Sequence, residues 1–380
     1  MSDLASILPS FVASSPAATC LLSDIEALPL TTADLLSLDA LDISRRLGST
    51  SRSSVLDIKR FVANLASALH SDITARASVP APAFITTRDA HLDRLFGGGI
   101  PTQCITEFVG ESGAGKSQFL LLLTLTVQLP PHLGGLGRPA VYISTEAPLS
   151  TPRLFQLAAA LRSSTSSASP STDRVFSITC SDLETQDHII RYQLPVLVAT
   201  HNVGLIVLDS VAANFRVEFE RAAGSTNKRA KTAADGSSAS ASAESGPAQM
   251  ARRGKDLVVL AGTLRALAIK HNLAVVVANQ VSDRFTRNSS SRETLSLDFQ
   301  SRWFSGWGED PDDVGEDAKV PALGLVWANL LAGRIVVRRG VDAESGDWRR
   351  WVRVVFATWA RAGEECGFEI VEGGVKALVS

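Results

Sequence analysis

The chain has 380 residues and balances 37 Lys+Arg against 39 Asp+Glu, a net charge of −2, which excludes a molecule-wide basic field for holding nucleic acid. Its 45% apolar content supports a sizeable buried core, and its length suggests one large core domain with a small accessory one. Cys20, Cys104, Cys180 and Cys366 are scattered without a Cys-x-x-Cys pair, which argues against a disulfide framework or a cysteine metal site and for a reducing compartment.

In chain order, the first segment opens without a basic run followed by an apolar one, so no secretory leader is expected. Residues 1–78 lack strand alternation. Leu35, Leu38 and Leu41, then Val55, Ile58, Val62, Leu65 and Leu69, repeat at helical spacing and predict a small helical accessory domain. Thr31-Thr32-Ala33-Asp34 can cap its middle helix. Val79-Pro80-Ala81-Pro82 reads as a stiff linker over residues 79–83, after which a second domain runs over 84–380.

Ile105-Thr106-Glu107-Phe108-Val109 reads as a buried strand and Gln118 to Leu129 as a leucine-rich helix. Between them, Gly110-Glu111-Ser112-Gly113-Ala114-Gly115-Lys116-Ser117 fits the phosphate-binding loop pattern G-x-x-x-x-G-K-[ST]. Its glycines let backbone N–H groups turn toward phosphates, Lys116 adds a positive charge, and the Ser117 hydroxyl can ligate Mg²⁺. A nucleoside triphosphate is the expected ligand. The longest apolar stretch, Phe119 to Leu129, is too short to cross a bilayer, and no membrane partner is expected.

Further strands are predicted at Val141 to Ser144, Val175 to Thr179, Val203 to Leu208 and Leu273 to Ala278, with helices at Pro152 to Leu161, Asp187 to Thr200 and Leu257 to His271. Near-continuous apolar strands alternating with helices imply an α/β core with a mainly parallel sheet covered on both faces. Two polar inserts interrupt it, Ser163 to Thr172 and a Gly/Ser/Ala-rich run at about 222–248 that holds the basic cluster Lys228-Arg229-Ala230-Lys231. That cluster is either a nuclear address or a solvated charge run.

Three side chains end such strands. Asp209 closes Val203 to Leu208, where a carboxylate can complete a Mg²⁺ shell. Glu146 follows Val141 to Ser144 and can orient an attacking water or cap the next helix. Gln280 ends Val275 to Asn279, where an amide can sense a terminal phosphate or serve a turn. The segment after it, Val281 to Pro321, mixes Arg284, Arg287, Arg292, Arg302, Trp303, Phe304 and Trp307 with the acidic run Glu309 to Asp313. Single-stranded DNA, a protein partner and plain disorder all fit that mixture, and the acidic half favours the last two over DNA.

Taken together, these segments resemble the RecA-type ATPases of homologous recombination, and among them the eukaryotic recombinase paralogs. The likeness spans about residues 84–375 and rests on Leu92 to Thr102, Ile105 to Gln118, Tyr142 to Glu146, Leu208 to Ser210, Val277 to Val281 and Pro321 to Asn329. The loop sequence and the Pro321 to Asn329 segment are most similar to the fungal mediator paralog that pairs with a second paralog and to the vertebrate X-ray cross-complementing paralog. The resemblance implies a RecA-like P-loop core binding ATP and Mg²⁺. Lys116 and Ser117 would hold phosphate and metal, Asp209 the metal shell, and Glu146 the water. Gln280 would couple nucleotide state to DNA-facing loops.

It further implies a nuclear mediator in double-strand-break repair that forms a heterodimer with a second paralog and assists the main strand-exchange recombinase on single-stranded DNA. Slow, DNA-dependent hydrolysis is one expectation; a partner-bridging module with a structural nucleotide is the other. A small-molecule phosphoryl transferase fits less well, as no acceptor site is evident. The chain departs from the family pattern at three places. Gln103 stands where relatives carry glycine, Thr358-Trp359 stands where they place a proline, and Phe61-Val62-Ala63-Asn64 is no clean Phe-x-x-Ala assembly motif. A heterodimer is therefore expected over a long filament.

Overall fold

The computed structural model describes residues 21, 24–25, 31–48, 54–76, 80–164, 170–216, 246–283, 305, 319–341 and 346–378. The cluster Lys228 to Lys231, nearly all of the 222–248 insert, the centre of Ser163 to Thr172 and most of Val281 to Pro321 lie outside the described residues. The chain divides into two compact units, Met1–Ala81 and Pro82–Ser380.

The first unit is helical. Thr31 caps α1 (Thr32–Ser37): its hydroxyl accepts from the Asp34 N–H at 3.1 Å while the Asp34 carboxylate accepts from the Thr31 N–H at 2.9 Å, a reciprocal capping box. Asp39 caps α2 (Ala40–Leu47), and α3 (Val55–Arg76) follows. The chain breaks helix at Leu38, which is extended, so the spacing from Leu35 to Leu41 does not run on one helix and Leu41 points to solvent, 51% exposed. Leu35, Ile43, Leu47, Ile58, Phe61 and Leu65 are buried as this unit's core.

In the second unit, β1 (Phe84–Ile85) pairs antiparallel with β2 (Ile100–Pro101), and α4 (Ala90–Leu95) lies between them in sequence. The main sheet begins with β3 (Ile105–Gly110), followed by α5 (Lys116–Thr126), β4 (Ala140–Ser144), α6 (Thr151–Ser164) and β5 (Val175–Thr179). Next come α7 (Leu183–His188), a π-helical turn (Ile189–Gln193), α8 (Leu194–His201), β6 (Leu205–Asp209), α9 (Gly246–His271) and β7 (Ala274–Asp283). β8 (Lys319–Pro321), α10 (Gly324–Ala328), β9 (Gly333–Val341), β10 (Trp348–Ala357), β11 (Glu365–Val371) and β12 (Gly374–Ala377) complete it.

The sheet order is β12-β11-β10-β9-β3-β7-β6-β4-β5, with β8 pairing to β7. Strands β9, β3, β7, β6, β4 and β5 run parallel, and β9 to β12 form an antiparallel meander that extends the sheet. This is the α/β architecture with a mainly parallel sheet that the apolar strands predict.

Alternation within each strand divides the core. Phe108, Tyr142, Val207 and Val276 face α5 and α6, whose Phe119, Leu122, Leu154 and Leu157 are buried against them. Ile105, Ile143, Leu208 and Val277 face the opposite way, toward Leu194, Val198, Leu257 and Leu264 of α8 and α9. Each such side chain contributes about 1.5–3 kcal/mol when fully buried, so a one-residue slip of any central strand would be costly. The register places the carboxyl ends of β3, β4, β6 and β7 along one edge.

Gln103 takes a left-handed φ of 67°, the conformation for which glycine is favoured. The turn is held by its N–H donating to the Leu273 carbonyl at 2.8 Å and its side-chain amide donating to Asn272 Oδ1 at 3.0 Å. Trp359 donates its indole N–H to the Phe96 carbonyl at 3.0 Å.

Candidate functional site

The loop Gly110–Ser117 joins the end of β3 to the start of α5. Gly113 and Gly115 have φ of 75° and 119°, values that side chains resist, and Gly110 lies so close to the Val337 carbonyl that a Cβ there has no room. All three glycines of the loop thus need to be glycine for stated geometric reasons. The buried Lys116 folds its ammonium back into the loop, donating to the carbonyls of Gly110 and Glu111 at 2.8 Å each. Burial pushes its pKa below the usual lysine range, and the carboxylates of Asp209, Glu146 and Glu111 pull it partway back.

At the end of β6, Asp209 Oδ2 accepts two hydrogen bonds, from Ser117 Oγ at 2.7 Å and from the Tyr142 hydroxyl at 2.6 Å. Ser117 comes from α5 and Tyr142 from β4, so one carboxylate oxygen ties three elements. Burial, then the adjacent Asp209 carboxylate, raises the Tyr142 pKa and keeps the phenol a proton donor. The peptide bond from Asp209 to Ser210 is cis.

Beyond Asp209, the Ser210 hydroxyl donates to Glu146 Oε1 at 2.7 Å, and Gln280, which lies inside β7 opposite Gly110 of β3, donates its amide to the same oxygen. Gln280 Oε1 in turn accepts from the Arg216 guanidinium at 2.6 Å. Thr145 fastens this row, its hydroxyl bonding the Ser210 carbonyl and N–H at 2.8 Å each. Lys116, Ser117, Asp209, Glu146 and Gln280, spread over 165 positions of sequence, thus meet along the carboxyl edge of the sheet, where open α/β folds place ligands.

Sequence reasoning missed Tyr142, Ser210 and Arg216. Tyr142 lies inside an apolar strand, where an aromatic residue reads as core; only its hydroxyl sets it apart. Ser210 adjoins a named carboxylate but gives no signal of its own. Arg216 follows β6 by seven positions on a helical turn and has no motif around it.

The residues fit a nucleoside triphosphate with Mg²⁺. The glycines leave room for backbone N–H groups to face an anion, the loop opens the N-terminus of an 11-residue helix, and Lys116 supplies a cation. Ser117 Oγ and Asp209 Oδ2 offer the few oxygen donors that Mg²⁺ takes from protein when water and phosphate supply the rest. No group of three or more His, Cys, Asp or Glu among the described residues suits a protein-caged metal.

A family model described as Rad51 matches residues 81–236. DNA repair protein rhp57 of Schizosaccharomyces pombe is 41% identical over 335 residues, covering 86% of this chain and 88% of the relative. DNA repair protein RAD57 of Saccharomyces cerevisiae is 36% identical over 231 residues, covering 60% of this chain and 45% of the relative. DNA repair protein XRCC3 of Bos taurus is 33% identical over 297 residues, covering 76% and 72%. With this loop, this sheet and these relatives, the chain belongs to the Rad51 family, among its RecA-type recombination paralogs.

Proposed function

We propose that the chain is a nuclear recombination mediator in double-strand-break repair, binding ATP with Mg²⁺ and assisting the main strand-exchange recombinase on single-stranded DNA as half of a heterodimer with a second paralog. The observation that carries this reading is the meeting of Lys116, Ser117, Asp209, Glu146 and Gln280 at one sheet edge. The relatives named as DNA repair proteins support the repair assignment.

In this reading, the loop amides and Lys116 bind the phosphates, and Ser117 and Asp209 hold Mg²⁺, which when bound neutralises charge on the phosphoryl oxygens. Tyr142 fixes the Asp209 carboxylate by its hydrogen bond. Glu146, oriented by Ser210 and Gln280, accepts a hydrogen bond from the attacking water. Gln280 stands at the point where β7 leads toward the segment that returns as β8, and its carbonyl accepts from the Ala322 N–H at 3.0 Å. A change in its side-chain partner is therefore communicated to both ends of that segment. Hydrolysis acts as a slow switch. Phe61, committed to the helical unit's own core, favours pairing over filament growth.

ATP turnover by the purified chain, alone and with its paralog partner, with and without single-stranded DNA, tests this beside Lys116→Ala. DNA-stimulated turnover that Lys116→Ala abolishes is expected. Binding of ATP and partner without turnover would replace it with a bridging module that carries a structural nucleotide.

A further inference from the structure

β9 runs parallel to β3 on the side away from β7, with Val337 beside Gly110, so its next residues overhang the phosphate loop. Arg339 follows Val337 by two positions and shares its face. A Cβ placed on Gly113 would lie 2.9 Å from Nη1 of Arg339, so the guanidinium rests directly against the middle of the loop, in space that only glycine leaves free. The exposed side chain lies over the exposed Trp348 ring at 5.8 Å, a cation–π contact that holds it at the loop.

Directly across the ladder, Arg350 of β10 pairs with Arg339, placing two guanidiniums on one face as cross-strand neighbours. Like charges so placed repel, which costs stability unless an anion lies between them. Neither arginine forms an ion pair among the described residues, and the buried Nε of Arg350 has no hydrogen-bond acceptor. Arg350 is half-buried beside Phe368, whose ring also borders Gly115. The pair is thus a preformed cationic wall on the β9 side of the loop, opposite the carboxylates of Asp209 and Glu146 on the β7 side.

We propose that Arg339, backed by Arg350 and stacked on Trp348, contacts the terminal phosphate of the bound nucleoside triphosphate, supplied by the chain itself. This rests on the reading that Gly110–Ser117 binds a nucleoside triphosphate. Lys116, which in this motif reaches the β- and γ-phosphates, directs its ammonium to the Gly110 and Glu111 end of the loop, so the terminal phosphate belongs at that end. Gly113 lies two positions from it, within the sweep of an arginine side chain. A guanidinium also presents a fork of donors that matches phosphate oxygens.

The experiment measures ATP and ADP affinities, each with Mg²⁺, for the full chain and for Arg339→Gln, Arg339→Lys, Arg350→Gln and Lys116→Ala, with thermal unfolding of the nucleotide-free proteins as the folding control. Arg339→Gln is expected to weaken ATP about tenfold while ADP stays within about twofold, because a charge-assisted hydrogen bond to the extra phosphate is lost. Arg339→Lys should recover part of that, Arg350→Gln should weaken ATP by less, and Lys116→Ala should lose both nucleotides. Unchanged ATP affinity in Arg339→Gln overturns the proposal, as does equal weakening of ATP and ADP, which would make Arg339 a support of the loop alone. Failure of the unaltered chain to bind either nucleotide, or binding that ignores Lys116→Ala, overturns the nucleotide-site reading itself.

Discussion

Gln280 and Glu146, 134 positions apart, are joined side chain to side chain, and the Glu146 oxygen that accepts from the Gln280 amide also accepts from Ser210 Oγ at 2.7 Å. Two donors on one oxygen fix the carboxylate plane. Glu146→Gln keeps the size of the side chain and removes its charge. Nucleotide affinity should stay within about twofold while turnover falls about 10²-fold or more, the usual scale for a lost general base or water-orienting group. Single-turnover hydrolysis beside equilibrium nucleotide binding checks it, and ordinary turnover would remove Glu146 from its assigned role.

Asp209 should set the metal requirement. Its Oδ2 accepts from Ser117 and Tyr142, so Tyr142→Phe removes one anchor without touching the carboxylate or the core-facing ring. The Mg²⁺ concentration for half-maximal ATP binding should rise about tenfold or more in Tyr142→Phe, the scale of losing one hydrogen bond to a charged group. Asp209→Asn should raise it further. A Mg²⁺ titration followed by nucleotide fluorescence distinguishes the two.

Much of this site is legible in the sequence because its parts obey local rules. The loop motif is contiguous, and Asp209 ends β6, Glu146 follows β4 by two positions and Gln280 follows the apolar run of β7, so a parallel sheet brings them to one edge whatever the loops between them do. Tyr142 and Arg216 escape because their contribution depends on which strand lies beside which, β4 next to β6 and β6 next to β7, an order that strand patterns alone do not set. The β9–β12 meander is partly hidden for another reason. Trp348 to Arg353 sets three arginines and two tryptophans around a single buried valine, Val352, and only its Val354 to Ala357 end reads as a strand. Leu41 misleads in the opposite sense, since helical spacing persists across the Leu38–Asp39 break.

Glu107 offers a test of how the sheet centre is held. Fully buried in β3, it accepts from Asn279 Nδ2 and Trp327 Nε1 at 2.8 Å each and from the buried Arg334 guanidinium, which lies over the Phe356 ring. Glu107→Ala strands a buried cation together with two N–H donors. Removing one partner of a buried pair costs about 3–5 kcal/mol, against a typical total of about 5–15, so this variant should lose a large fraction of its stability. Glu107→Gln keeps an acceptor oxygen for Asn279 and Trp327 and should cost less. Urea denaturation of both, beside a Glu107→Met/Arg334→Met pair that removes charge from each side, measures the difference; equal stability of Glu107→Ala and the unaltered chain would refute it.

Arg138 holds the opposite, amino-terminal edge of the sheet. α8 ends in Asn202 and α9 in Asn272, both left-handed with φ of 52° and 46°, and such ends leave carbonyls without helical partners. The Arg138 guanidinium donates to the carbonyls of Asn202 at 2.9 Å, Asn272 at 2.8 Å, His271 at 3.0 Å and Val203. One side chain therefore closes both helix ends where β6 and β7 begin, and burial lowers its pKa without a carboxylate to compensate. Arg138→Ala leaves four carbonyls to find water at a half-buried site, and a loss of about 2–4 kcal/mol is expected at the usual scale for hydrogen bonds to a charged group. Arg138→Lys restores a charge but only a single point of donation, which cannot span acceptors on two helices, so it should recover less than half of that loss. Chemical denaturation gives both values, and recovery of nearly all the stability by lysine would mean that charge at the two helix ends, and not the forked bridge between them, is what Arg138 contributes.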